Sequence, residues 1–157
     1  MENSLNILSE SLDQKLLVLR DIQDYNAKQE EAFTKEQPDL ESFDAAMEEK
    51  ERLIERLTKL DDGFELLYQR LAVDLKDNKE RYAVQIKELQ SKIAKVTELG
   101  MTIQAQEARN KKLIEDYFAK ERTGIRQGRM SSKAAYDYYK SMSGNGYGAS
   151  RFMDSKN

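Results

Sequence analysis

The fold is decided by residues 82–117, which read YAVQIKELQSKIAKVTELGMTIQAQEARNKKLIEDY. Mostly apolar residues recur in this stretch at alternating intervals of four and three positions, so they form one stripe along a helix. No proline interrupts the stretch. That spacing is typical of a single helix about 50 Å long. The stripe consists of Tyr82, Ile86, Leu89, Ile93, Val96, Gly100, Ile103, Glu107, Asn110, Ile114 and Tyr117. Because one helix cannot bury its own stripe, we expect partner helices.

Three positions of this stripe are not apolar side chains, namely Gly100, Glu107 and Asn110. One interpretation is structural: Gly100 admits close packing, Asn110 sets the register, and this end of the bundle is splayed and wet. The other interpretation is functional. In that case this part of the stripe is left unfilled to receive a partner helix.

Two further helices are predicted upstream. The first covers residues 4–33, with Ser4 as its N-cap and leucines at intervals of three and four. The second covers residues 38–75, because Pro38 suits a first helical turn and Asp39 behind it complements the helix dipole.

The second helix contains one irregularity in its apolar pattern. Its spacing skips between Leu57 and Leu60, just before Asp61, Asp62 and Gly63. A skip of this kind overwinds a coiled coil locally or marks a change of packing partner. We interpret the site as a weak point within one helix, and a break at Gly63 is the alternative.

The third helix is predicted over residues 79–120, after a short polar turn that makes it a neighbour of the second helix. Of the 157 residues, 35% are charged and 39% are hydrophobic, which favours an elongated α domain over a compact globule. The predicted fold class is therefore all-α. It is an elongated antiparallel three-helix coiled-coil bundle over residues 1–120, followed by a short C-terminal helix and a flexible tail.

Composition argues against several classes of function. The chain has no His and no Cys, so the usual general base and most zinc sites are missing, and we expect no enzyme, catalytic residue, metal site or cofactor. The net charge of -3 argues against nucleic acid as a partner. No long apolar run and no basic-then-apolar leader occur, so we expect no signal peptide and no stable membrane insertion, which is compatible with a cytoplasmic protein.

The last 37 residues differ in character from the rest. Residues 121–157 hold five of the seven glycines and carry seven basic against three acidic side chains, or +4, which leaves -7 for residues 1–120. Residues 121–142 are predicted to form an amphipathic arm with a short helix that orders on a partner, and residues 143–157 a disordered tail. The predicted partner-binding residues, which the resemblance described next assigns to a client, are Ile125, Met130, Ala135, Tyr136, Tyr138, Tyr139 and Met142. The alternative is that this helix docks on its own bundle.

Two patches of the sequence resemble a known family, the FlgN-type flagellar export chaperones. In the second helix the matching residues are Leu40, Phe43, Lys50, Leu53, Ile54, Leu57, Leu60, Asp61, Phe64 and Tyr68. Near the C-terminus the tyrosine-rich element is similar through Ala134, Ala135, Tyr136, Tyr138, Tyr139, Lys140 and Met142. In helix layout the resemblance extends over about residues 5–142.

The resemblance implies a cytosolic chaperone of the flagellar type III secretion system. Such a protein binds the C-terminal helical segments of hook-filament junction proteins, prevents their premature assembly and delivers them to export apparatus components. It implies a monomer or weak dimer whose binding element maps onto residues 125–142. Two alternatives stay open: the related chaperone of the filament cap protein, and a structural coiled-coil adaptor without an export role.

Overall fold

The computed structural model describes residues 1–120 of the chain, which form three α-helices and contain no strand. The helices are α1 (Glu2–Ala32), α2 (Leu40–Lys76) and α3 (Ala83–Lys120). With 31, 37 and 38 residues they are about 46 to 57 Å long. The prediction of an all-helical chain with three helices is confirmed for these residues. The predicted arm and tail, residues 121–142 and 143–157, lie outside them.

The first helix begins earlier than predicted. Met1 is the N-cap of α1, and the backbone N–H of Leu5 donates to the Met1 carbonyl at 3.0 Å. Ser4 therefore lies inside the first turn, and its prediction as the cap was wrong. A backbone carbonyl starts this helix without help from a side chain.

The other two helices begin later than predicted. The N-cap of α2 is Asp39, whose carboxylate accepts a hydrogen bond from the Ser42 backbone N–H at 3.0 Å, so Pro38 precedes the helix instead of opening it. The α3 helix begins at Ala83 because residues 77–82 form the connection. The start of α2 reflects where a capping side chain is available.

The stripe predicted for the third helix is the buried face of α3. Each buried residue of this helix lies on that stripe, and Glu107 and Asn110 are among them, at 5% and 1% exposure. The expectation of a splayed, wet end was therefore wrong. Polar side chains can be buried at this end because they bond to one another across the bundle, as described below.

The α1 helix lies between the other two helices. It packs closely against both α2 and α3, whose backbones approach each other less closely. Lys15 of α1 pairs with Asp61 of α2, and Gln29 of α1 pairs with Lys50 of α2. Residue numbers therefore rise along α1 as they fall along α2.

Contacts between α1 and α3 show that these two helices run in the same direction. Ser9 donates to Glu88 near one end, and Asn26 donates to Gln106 towards the other, so residue numbers rise together. This arrangement brings the C-terminal half of α2 beside the N-terminal half of α3.

The α2 helix is continuous through Gly63, as the first of the two interpretations predicted. The predicted skip, however, does not change the packing partner. The spacing continues from buried Leu57 to buried Phe64 through Asp61, which is partly buried and pairs with Lys15 of α1. The apolar spacing is irregular here because the position between Leu57 and Phe64 is occupied by a charged residue, Asp61.

Candidate functional site

The predicted client-binding residues all lie outside the part of the chain that the structure describes. They are Ile125, Met130, Ala135, Tyr136, Tyr138, Tyr139 and Met142. Their role therefore stays a prediction. Within residues 1–120, two other arrangements have the geometry of a site: an open groove between α2 and α3, and a buried cluster of polar side chains.

The groove runs between residues 64–76 of α2 and residues 83–93 of α3 and has a volume of about 580 Å³. Its length along α2 is about 18 Å, or three to four helical turns. We call it the α2–α3 groove. It exists because α1 holds both helices while their own backbones stay apart.

The interior of the α2–α3 groove is apolar. Phe64, Leu89 and Ile93 form its floor, with 4%, 7% and 2% of their surface exposed. The Phe64 and Tyr68 rings stack with centroids 6.1 Å apart and form part of the α2 wall. The three floor residues are therefore already buried within the protein.

Small side chains keep the groove open between its walls. Ala72 of α2 and Ala83 of α3 both line it, and both are exposed. Larger residues at these positions would fill the space between the helices. Alanine at both positions therefore leaves room for side chains from another element.

The charged residues that line the groove are all lysines. Lys76, Lys79 and Lys87 are exposed, and no Asp or Glu is among the lining residues. This local positive charge stands out because residues 1–120 carry a net charge of -7. Lys76 and Lys79 also line a neighbouring depression together with Asp77 and Glu80, so acidic side chains adjoin this positive charge.

The buried polar cluster lies at the other end of the bundle. The Lys50 Nζ is 2.7 Å from Glu107 Oε1 and donates at 2.7 Å to Gln29 Oε1. Asn110 Nδ2 donates to the Asn26 carbonyl at 3.0 Å. The cluster therefore connects all three helices through side chains that are between 0% and 5% exposed.

Burial lowers the pKa of Lys50 to about 8, although the Glu107 carboxylate acts in the opposite direction. The Lys50 side chain has 0% exposure, so a ligand in solution has no access to its ammonium group. This cluster can hold the helices in register, but it does not present a surface for binding.

Two smaller ionic contacts support the same register. Burial lowers the pKa of Lys15, and pairing with Asp61 acts against that effect. Lys92 of α3 lies 3.0 Å from Asp13 of α1 and 3.3 Å from Glu88. Partial burial would lower the pKa of Lys92, but its hydrogen bonds to these carboxylates raise it overall.

Residues 1–120 contain no group of three or more His, Cys, Asp or Glu side chains placed to hold a metal ion. None of the three described helices is long and apolar enough to cross a membrane.

Comparison of the chain with protein-family models, curated proteins and solved structures finds no match in any of the three.

Sequence reasoning did not find the α2–α3 groove. The one available signal was the combination of small and basic residues near the second connection, where Ala72, Ala83 and three lysines occur within 16 positions of one another. That signal is weak, because the groove depends on how far apart α2 and α3 are held. The polar residues Lys50, Glu107 and Asn110 were visible on the stripes, but their contacts were not.

Proposed function

We propose that this protein is a cytosolic export chaperone of the flagellar type III secretion system. It binds the C-terminal helical segments of hook-filament junction proteins and keeps them from assembling before export. In this proposal residues 1–120 form an antiparallel three-helix coiled coil. Residues 121–142 are the arm that holds the client, and residues 143–157 are a tail.

The observation that supports this proposal best is the position of the residues in the second helix that resemble FlgN-type chaperones. Phe43, Lys50, Ile54, Leu57 and Phe64 all lie on the buried face of α2. The matching pattern therefore coincides with the residues that hold the bundle together, as a pattern tied to a shared architecture should.

The chemistry of the arm suits a client of this kind. A segment that later forms a coiled coil in the filament has an apolar stripe that must be covered beforehand. Tyrosines supply large contact areas, and methionines adapt to different surfaces. Ordering an arm on its client costs conformational entropy, so binding should be moderate and release easy.

Titration calorimetry tests the proposal directly. The ligand is the C-terminal segment of a hook-filament junction protein from the same organism, and the protein is the full chain. Binding is expected for the unchanged chain, and loss of at least roughly ten-fold in affinity for the Tyr136→Ala/Tyr139→Ala variant. The matched control is Tyr147→Ala/Phe152→Ala, which removes two aromatic rings outside the arm and should bind normally.

Each alternative predicts a different result. No binding by the full chain would reject this client, and the cap-protein segment would be titrated next. A tight oligomer that persists when residues after Lys120 are removed would favour the coiled-coil adaptor instead.

A further inference from the structure

The end of the bundle at which α3 finishes carries a row of aromatic rings from all three helices. Phe43 of α2, Phe33 at the C-cap of α1 and Tyr117 of α3 follow one another with ring centroids 5.5 and 6.1 Å apart. The Phe118 ring lies 5.3 Å from that of Tyr117. Phe43 is fully buried, whereas Phe33, Tyr117 and Phe118 each keep part of their surface exposed. We call these three partly exposed rings the aromatic end.

The charge around the aromatic end is unevenly distributed. Residues 29–44, which include Phe33 and the α1–α2 connection, hold six acidic side chains and one basic side chain, a net charge of -5. Residues 111–120 of α3 hold three basic and two acidic side chains, a net charge of +1. Three of the acidic side chains of the first group are exposed, namely Glu31, Glu36 and Glu41. The negative charge therefore lies on the side of the α1–α2 connection.

The residues that follow Lys120 have the complementary character. Residues 121–133 carry four basic side chains against one acidic side chain, a net charge of +3, and two apolar side chains, Ile125 and Met130. The basic residues recur at intervals of four, three and four positions and are Arg122, Arg126, Arg129 and Lys133. Positive charge combined with adaptable apolar side chains matches an acidic surface that has aromatic rings at its centre.

This segment also begins beside the surface that it matches. Lys120 follows Phe118 by two residues. Packed helices lie about 8 to 10 Å apart, so a path from α3 across α1 to the start of α2 is about 20 Å long. Residues 121–129 span up to about 30 Å when extended, which is enough to cross. Because a short tether gives an effective concentration on the order of millimolar, weak contacts suffice to hold the segment there.

We propose that residues 121–133 form a strap across the aromatic end of the bundle. The arginines of the strap face the exposed glutamates beside the α1–α2 connection, and Ile125 and Met130 cover the exposed parts of the aromatic rings. The strap fixes the direction in which residues 134–142 leave the bundle. It does not depend on which client those residues bind, so its failure and the failure of the proposed function are separate results.

Hydrogen exchange of the full chain tests the strap. The amides of residues 121–133 are expected to exchange at least roughly ten-fold more slowly than in a free peptide of the same sequence. Reversing three charges of the strap, in Arg122→Glu/Arg126→Glu/Arg129→Glu, should remove this protection, with each variant compared with the peptide of its own sequence. The matched control Lys140→Glu/Arg151→Glu/Lys156→Glu reverses three charges after the strap and should keep the protection.

The surface is tested by reversing its three exposed glutamates. Glu31→Lys/Glu36→Lys/Glu41→Lys should remove the protection as well, whereas Glu10→Lys/Glu80→Lys/Glu98→Lys makes the same change at exposed positions away from the aromatic end and should keep it. Combining the reversed strap with the reversed surface restores opposite charges, so the protection should return. Circular dichroism confirms that each variant remains helical. A combined variant without protection would overturn the assignment of the strap to this surface.

The aromatic part of the contact has a separate readout. A methyl group that lies over the face of an aromatic ring resonates upfield, so the methyl signals of Ile125 and Met130 should move upfield from their positions in the free peptide. Methyl signals that coincide with those of the peptide would overturn the proposal, as would amide exchange at the rate of the peptide. Protection that grows with protein concentration would also overturn it and assign the aromatic end to a second copy of the chain.

Discussion

Lys50 of α2 and Glu107 of α3 form an ion pair inside the bundle, with 2.7 Å between Nζ and Oε1 and almost no contact with water. Removing two charges from water costs several kcal/mol for each ion, and their attraction offsets that cost only when the geometry is good. The pair therefore does more to determine which residues face each other than to raise stability.

Removing one member of this pair should be far more harmful than removing both. For Lys50→Met we expect a loss of about 1 to 3 kcal/mol in the free energy of unfolding, because Glu107 Oε1 and Gln29 Oε1 stay buried without the hydrogen-bond donor that Lys50 supplies, charged or uncharged. The double variant Lys50→Met/Glu107→Leu should recover most of that loss. Urea unfolding at pH 7, followed by circular dichroism, measures both. Equal losses in the two variants would contradict this account.

The stability of the protein should rise with pH in the alkaline range because of Lys50. Its pKa is about 8 in the folded state and near 10.5 when unfolded, so between these values the unfolded chain binds more protons. The stabilisation that comes from an uncharged Lys50 is fully present above the unfolded pKa and is lost as the pH falls through the folded pKa of about 8. Between pH 8 and 10 the expected gain is on the order of 2 kcal/mol.

The double variant Lys50→Met/Glu107→Leu is the control for this pH dependence. It keeps Lys15, whose lowered pKa acts in the same direction, and Lys92, whose raised pKa acts in the opposite direction. The difference between the two proteins therefore isolates the Lys50 pair. A parallel pH dependence in both would show that Lys50 is not responsible.

Replacing Gly63 should stabilise the protein. Gly63 lies within the continuous α2 helix and is exposed, and a Cβ atom there would meet nothing within 4 Å. We expect Gly63→Ala to raise the free energy of unfolding by about 0.8 to 1 kcal/mol, because alanine favours the helix and restricts the unfolded chain. Thermal unfolding measures the gain, and a lower melting temperature would argue for a break in α2.

Two neighbouring residues of α3 should respond very differently to truncation. Ile103 is fully buried, so Ile103→Ala is expected to cost about 2 to 5 kcal/mol through the cavity that it leaves. Met101 is 67% exposed, and Met101→Ala should change stability by less than about 0.5 kcal/mol. Urea unfolding of both variants checks the orientation of α3, and a large loss for Met101→Ala would contradict it.

The helices and their buried faces could be predicted from the sequence because a spacing of three and four residues is a local property. The stripe of α3 matches its buried face even at Glu107 and Asn110. Helix starts were less accurate, since they depend on which group supplies the cap. Asp39 caps α2 where Pro38 had been expected in the first turn, and a backbone carbonyl replaces the Ser4 hydroxyl at α1.

Contacts across the bundle could not be predicted from the same pattern. Lys15 and Asp61 are 46 residues apart in the chain, and only the packing of α1 on α2 shows that they share one position in the core. The α2–α3 groove depends in the same way on the separation of two helices. No single stretch of sequence encodes that separation, and Ala72 and Ala83 only leave the space between the helices unfilled.

The central position of α1 also affects how the protein folds. The side-chain contacts between α1 and α3 join residues 79 to 84 positions apart, whereas those between α1 and α2 span 14 to 46 positions. Because closing a longer loop costs more entropy, the pair formed by α1 and α2 should assemble first. Docking of α3 then completes the core, so α1 keeps one apolar face open to solvent until the last helix has been synthesised.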